Sequence, residues 1–102
     1  MKSMWRQGDL LIVKVKDIPK KAVKKTNGIL AEGEVTGHMH ELDSGEVYAV
    51  GETLYFRVSE SEQTVLNHPD HGSITFEPGE YKVIRQREYE PDSWKKSRRV
   101  SD

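Results

Sequence analysis

All four histidines of the chain fall in two tight pairs, His38-Met39-His40 and His68-Pro69-Asp70-His71. On an extended strand, residues i and i+2 project from the same face. His38 and His40 would therefore stand together with Met39 turned away. In the second pair Pro69 suits position i+1 of a β-turn and Asp70 position i+2, so His68 and His71 become its first and last residues, with Cα atoms within about 7 Å. If strand and turn meet, they supply three or four imidazole nitrogens to one divalent transition metal: zinc, iron, nickel, copper or manganese. The chain has no cysteine, so any such ion is held by histidine and carboxylate. An exposed polar turn and a hydrogen-bonded strand pair would account for the same spacing without a metal.

Ligand count sets the chemistry. Four protein ligands close a tetrahedral structural site, whereas three leave a position where zinc lowers the pKa of bound water to about 7 and supports hydrolysis. Glu41, Asp43 and Glu46 lie close along the chain to the first pair. Glu41 or Glu46 is the expected general base; all three are equally suited to solvated turns. Tyr81, Val83, Arg85, Arg87 and Tyr89 share one strand face by parity. Arg85 and Arg87 could clamp an anionic small molecule, since guanidinium recognises carboxylate and phosphate bidentately. Cross-strand pairing with Glu32 or Glu34 is the competing expectation.

The elements that must position these groups read as strands. Asp9 to Lys16 alternates, with Leu11, Val13 and Val15 on one face. Asp17 to Asn27 carries Pro19 and four lysines and reads as an exposed loop with at most one helical turn. Ile29 to Leu42 looks extended but is broken by Gly33 and Gly37. Val47 to Val50 and Thr53 to Ser59 form a hairpin that turns Leu54, Phe56 and Val58 one way. Gln63 to Asn67, Ser73 to Phe76 and Tyr81 to Tyr89 complete the set. About seven short strands with little helix predict an all-β fold, a small antiparallel barrel or sandwich. Residues 1–90 would form one β domain and 91–102 a polar tail. Trp5 and Trp94 would anchor the two termini, Trp94 on its own domain or on a second subunit of a homo-oligomer.

Charge excludes some functions. Residues 1–25 hold eight basic and two acidic side chains, and residues 32–62 hold eight acidic and one basic. Such blocks attract each other within a fold or between subunits. The pI is about 6.4, below the value above about 9 expected of a nucleic-acid-binding domain. The longest apolar run, Leu10 to Val13, is far short of the roughly 20 residues of a spanning helix. With no apolar stretch of signal-peptide length, a cytoplasmic location is expected.

Gly33-Glu34-Val35-Thr36-Gly37-His38-Met39-His40, followed by Glu46 and Gly51, is similar to the first metal motif of the cupins, and Gly72 followed by Pro78-Gly79 echoes their second. That resemblance implies a cupin-like barrel with His38 and His40 as ligands. No histidine follows Gly79, so His68 or His71 would replace the family's fourth ligand. Gly33 to His40, His68 to His71 and Pro78 to Tyr89 also resemble segments shared by a set of short bacterial and phage proteins of unassigned function, which implies a bacterial or phage host. The expectation is a small metal-binding β protein, a metal-dependent hydrolase or related enzyme acting on an anionic small molecule. The alternative is a non-catalytic accessory module whose basic loop and arginine strand engage a protein or nucleic acid.

Overall fold

Short runs of β-branched and aromatic residues, cut every few positions by glycine, proline or Asp-Ser-Gly turns, favour extended chain over helix. The computed structural model describes residues 3–32 and 39–85. Among these, the chain forms ten strands and no helix: β1 (Met4–Gln7), β2 (Leu10–Val15), β3 (Val23–Lys24), β4 (Ile29–Glu32), β5 (Met39–Leu42), β6 (Glu46–Val50), β7 (Thr53–Val58), β8 (Thr64–His68), β9 (His71–Phe76) and β10 (Gly79–Arg85). They make two antiparallel sheets, of order β1-β2-β10-β7-β6-β3 and β4-β5-β8-β9. No helix is long and apolar enough to cross a membrane.

The all-β class is as expected, and two separate sheets correspond to the sandwich alternative. The strand count exceeds seven for three reasons. β1 has only four residues and an unremarkable pattern, Ile29 to Leu42 divides into β4 and β5, and the lysine-rich loop contains β3. The last of these pairs with β6 through Val23↔Ala49 and Lys24↔Tyr48. The sequence predicts at most one helical turn in that loop; it holds no helix, and Ala22 N donates to Pro19 O at 3.0 Å in an isolated turn. In β2 the inward face is Leu10 and Ile12, both fully buried, and Leu11, Val13 and Val15 are only half-buried. Alternation alone favoured the opposite face. Pairing decides it, because Ile12 sits opposite Val83 and β10 turns Tyr81 and Val83 toward the other sheet.

The core joins the sheets through aromatic rings. Phe56 and Tyr81 stack at 4.8 Å, and Phe76 of the four-stranded sheet meets both edge-on at 5.2 and 5.1 Å. Trp5 packs on Phe76 and Tyr81 at 5.1 and 5.5 Å, so it anchors the first strand as expected. Tyr81 keeps its hydroxyl satisfied by donating to Glu77 O at 2.6 Å, as a buried phenol must. On the surface, the basic start meets the acidic middle at Lys24–Glu46, 3.4 Å.

Asp43 ties the β5–β6 turn to β8. Its carboxylate accepts from Val65 N at 3.0 Å and Thr64 Oγ1 at 3.2 Å. The Val65 amide, with smaller contributions from Thr64 and Ser44, holds this carboxyl below its ordinary 3.8. A lowered folded-state pKa means that the unfolded chain binds more protons as pH falls. The stabilisation is therefore complete above the unfolded value and is lost as pH drops through the folded one. Asp43→Asn is expected to flatten the acid limb of stability against pH below about pH 4–5, read as urea midpoints; an unchanged slope would refute this.

Candidate functional site

The chain turns from β1 into β2 through Gly8-Asp9, with Gln7 paired to Leu10. Gly8 has φ +60°, the backbone that a two-residue hairpin of type II′ requires at its first central position. Its bare backbone is needed for space as well. A Cβ there would lie 2.8 Å from His71 Nε2 and 3.3 Å from His40 Cε1. The first hairpin thus packs directly against two histidines of the other sheet.

Two β-bulges adjoin this contact. Between β4 and β5 the register moves from Ile29↔Glu41 to Ala31↔His40, so Leu30 is the extra residue. Between β8 and β9 it moves from Leu66↔Ile74 to His68↔His71, so Gly72 and Ser73 together face Asn67. Bulges leave backbone groups unpaired and re-aim side chains. The unpaired groups find Gln7, whose Nε2 donates to Leu66 O at 3.0 Å and Gly72 O at 2.9 Å. Gln7 is almost wholly buried, at 2% exposure.

Three imidazoles meet here. The His40 and His68 rings lie 4.3 Å apart, His68 and His71 4.6 Å, and His40 and His71 6.2 Å with nearly parallel planes. His68 and His71 are the ends of a tight turn, as their spacing predicts, and Asp70 N donates to His68 Nδ1 at 3.0 Å. His40 is buried on β5, and its Nδ1 lies 2.8 Å from Gln7 Oε1. Both Gln7 amide hydrogens go to carbonyls, which only accept, so the side-chain orientation follows from the network and Oε1 must be the acceptor. His40 Nδ1 is therefore the donor, and in the neutral ring Nε2 carries a lone pair.

That lone pair faces another acceptor. Asp9 Oδ1 lies 3.6 Å from His40 Nε2. Protonating His40 would turn the contact into an ion pair, but desolvation by burial and the charge of His68 depress its pKa below 6.5; Asp9 opposes this shift and His71 adds to it. Near neutral pH the buried imidazole is uncharged, and two electron-rich atoms look at each other across a gap.

Several expected site residues are placed elsewhere. His38 and Arg87 lie outside the described residues, as do Gly33 to Gly37 of the cupin-like segment and Trp94. Glu41 is exposed and adjacent to His40 on β5, so strand alternation sends it to the opposite face. Glu46 belongs to the other sheet and accepts from Tyr48 Oη at 2.7 Å and Lys24 Nζ at 3.4 Å. Those bonds, Tyr48 foremost, hold its carboxyl below the ordinary value. A base at the histidine cluster is therefore neither Glu41 nor Glu46 in this geometry. Arg85 pairs with Leu10 across β10 and β2 and lines a cleft of about 400 Å³ with Lys25, Leu30 and Leu54. It stands near the histidine end of the fold, but in a separate recess from the rings.

Gln7 and Asp9 were not singled out from the sequence. The available signal was Gly8-Asp9 between two short runs, a hairpin dipeptide. Among the described residues no group of three or more histidine, aspartate or glutamate side chains is placed so that it could hold a metal ion as it stands. The arrangement consists of one oriented imidazole, one facing carboxylate and two neighbouring rings.

No curated protein and no solved structure matches the chain. The family described as a domain of unknown function, DUF8820, matches residues 6–86, a span that takes in Gln7, Asp9 and all four histidines, and the chain belongs to that family.

Proposed function

We propose that this protein binds a divalent transition metal at the end of the sandwich, through His40 Nε2, Asp9 and His71, leaving a coordination position open for a small anionic substrate. The observation that carries this reading is the confrontation of the His40 lone pair with the Asp9 carboxylate at 3.6 Å. Two ligands on a tetrahedral ion with bonds of about 2.0–2.1 Å stand about 3.4 Å apart, so a cation fits between them with small adjustment. Gln7 supplies the outer hydrogen bond that metal-binding histidines use to fix tautomer and ring orientation. His71, at the exposed start of β9 with its ring nearly parallel to that of His40 and 6.2 Å from it, would be the third donor.

Two imidazoles and a carboxylate form a donor set used by both hydrolytic zinc and non-haem Fe(II), and nickel and manganese also accept it. A metal held there would supply a position at which water or substrate is polarised, the chemistry of metal-assisted hydrolysis. Adding zinc, cobalt, nickel or manganese at 100 times Kd to metal-free protein should stabilise it by about 2.7 kcal/mol, seen as a rise in Tm. His40→Gln and Asp9→Asn should each remove most of that rise. No rise with any of these ions, together with no metal by elemental analysis of protein purified without an affinity tag, would overturn the reading.

A further inference from the structure

We propose that the recess between the two sheets beside the β6–β7 turn is a binding site for a small carboxylate with an apolar body, independent of any metal at the histidines, and that Lys25 takes the carboxylate. Inward positions of a sandwich are ordinarily apolar, because the two inner faces interdigitate to make the core. Two inward positions of the six-stranded sheet break this pattern. Arg85 follows the buried Tyr81 and Val83 along β10 at a spacing of two and pairs with the buried Leu10. Lys25, just beyond β3, continues the pairing that sets Val23 opposite Ala49, and its amide donates to Val47 O at 2.7 Å. Val47 is itself buried and lies opposite Phe56, so strand alternation puts Lys25 on the inward side as well. Both side chains line one recess of about 400 Å³.

The walls of that recess come from both sheets, Leu30 and Ala31 of β4 on one side and Ala49 and Leu54 on the other. Along β7 the inward row is buried at Phe56 and Val58 but only partly buried at Leu54, where the recess opens. Apolar walls with a few polar groups are the usual make-up of a small-molecule site, and about 400 Å³ lies toward the small end of the ordinary range of about 300–1,000 Å³. Charge then selects the ligand. Lys25 and Arg85 are set against Glu52 alone in the lining, and Glu52 is exposed in the turn. Lys25 is half-buried, and among the described residues its ammonium makes no hydrogen bond or ion pair. Such a cation beside apolar walls favours an anion that brings its own apolar surface, since charge-assisted bonding and apolar burial are then gained together. A carboxylate suits the recess better than a phosphate because its single charge costs less to take out of water. Arg85 is required here only for its positive charge, which raises the local potential for an anion; the direct hydrogen bond is assigned to Lys25.

The test is calorimetric titration of the metal-free protein with octanoate, 1-octanol, acetate and inorganic phosphate. Octanoate should bind saturably, and the other three at least about tenfold more weakly, because each lacks either the charge or the apolar body. Lys25→Ala should weaken octanoate binding about tenfold or more, while Lys25→Arg, which keeps a charged donor, should stay within about threefold of wild type. Ala49→Leu, which narrows the recess and leaves both cations in place, should weaken it at least about fivefold. Circular dichroism checks that each variant folds, and if Ala49→Leu does not, Ala49→Val takes its place with the same expected result. No saturable octanoate binding by wild type would overturn the proposal. So would octanol, acetate or phosphate binding as tightly as octanoate, or wild-type affinity in folded Lys25→Ala or in the folded Ala49 variant.

Discussion

Replacing Gln7 with leucine is expected to cost about 2–4 kcal/mol of folding stability and, on the metal-binding reading proposed above, to weaken metal affinity about 10- to 100-fold. One side chain satisfies three groups: Leu66 O, Gly72 O and His40 Nδ1–H. Leucine has similar volume, so the loss is chiefly polar. Each buried group left without a partner costs about 1–3 kcal/mol, less where water can reach it, and Gly72 O is the most accessible of the three. The metal effect has a separate origin, since without Oε1 the His40 ring is free to choose the other tautomer. Gln7→Glu separates the two consequences. It keeps an acceptor for His40 but sets a carboxylate against two carbonyls, so stability should fall while metal affinity in the folded protein is kept or raised. Urea unfolding and metal titration of the two variants read these effects. A Gln7→Leu protein within about 0.5 kcal/mol of wild type, the range of ordinary surface changes, would contradict the network.

Phe76→Ala is expected to lower stability by about 3–5 kcal/mol, the usual range for emptying a buried phenylalanine site. Phe76 is fully buried and comes from the four-stranded sheet, whereas its neighbours Trp5, Phe56 and Tyr81 belong to the six-stranded one. It meets all three edge-on at ring separations between 5.1 and 5.2 Å. Aromatic pairs of that geometry contribute about 0.5–1.5 kcal/mol each beyond area burial, so the cluster binds sheet to sheet. Phe76→Leu keeps most of the volume and should cost clearly less than the alanine change. Trp5→Ala should also cost less, because Trp5 is partly exposed on the edge strand. Denaturant midpoints for the three variants give the ranking, and a Phe76→Ala loss under about 1.5 kcal/mol would mean that this contact does not hold the sheets together. Because Trp5 leads directly into Gln7 and Gly8, severe loosening here should also reach the histidine end.

Features with short-range causes were legible from the residues. The Pro69-Asp70 turn brought His68 and His71 together as expected, since turn geometry is decided within four residues. The hairpin around Gly51-Glu52 followed from alternation, with Phe56 and Val58 buried. The all-β class followed from turn chemistry repeated along the chain. The departures had long-range causes. Strand parity in β2 was set by β10, some seventy residues later in the chain. The two bulges show only as shifts of register between paired strands, and no dipeptide marks them. Glu41 and Glu46 were close to His40 in the chain, but alternation and sheet exchange took them away from it.

Taken alone, the sequence determined that the protein would be a β-structure and marked its histidines and carboxylates as candidates for chemistry, because residue types and spacing act locally. Tertiary structure decided which of these groups meet and in what electronic form. His40 takes its tautomer from Gln7, 33 residues away, and Gln7 is held by carbonyls 59 and 65 residues further along. A lone pair acquires its direction from the hydrogen bond at the opposite nitrogen, and that bond exists only once the two sheets have packed.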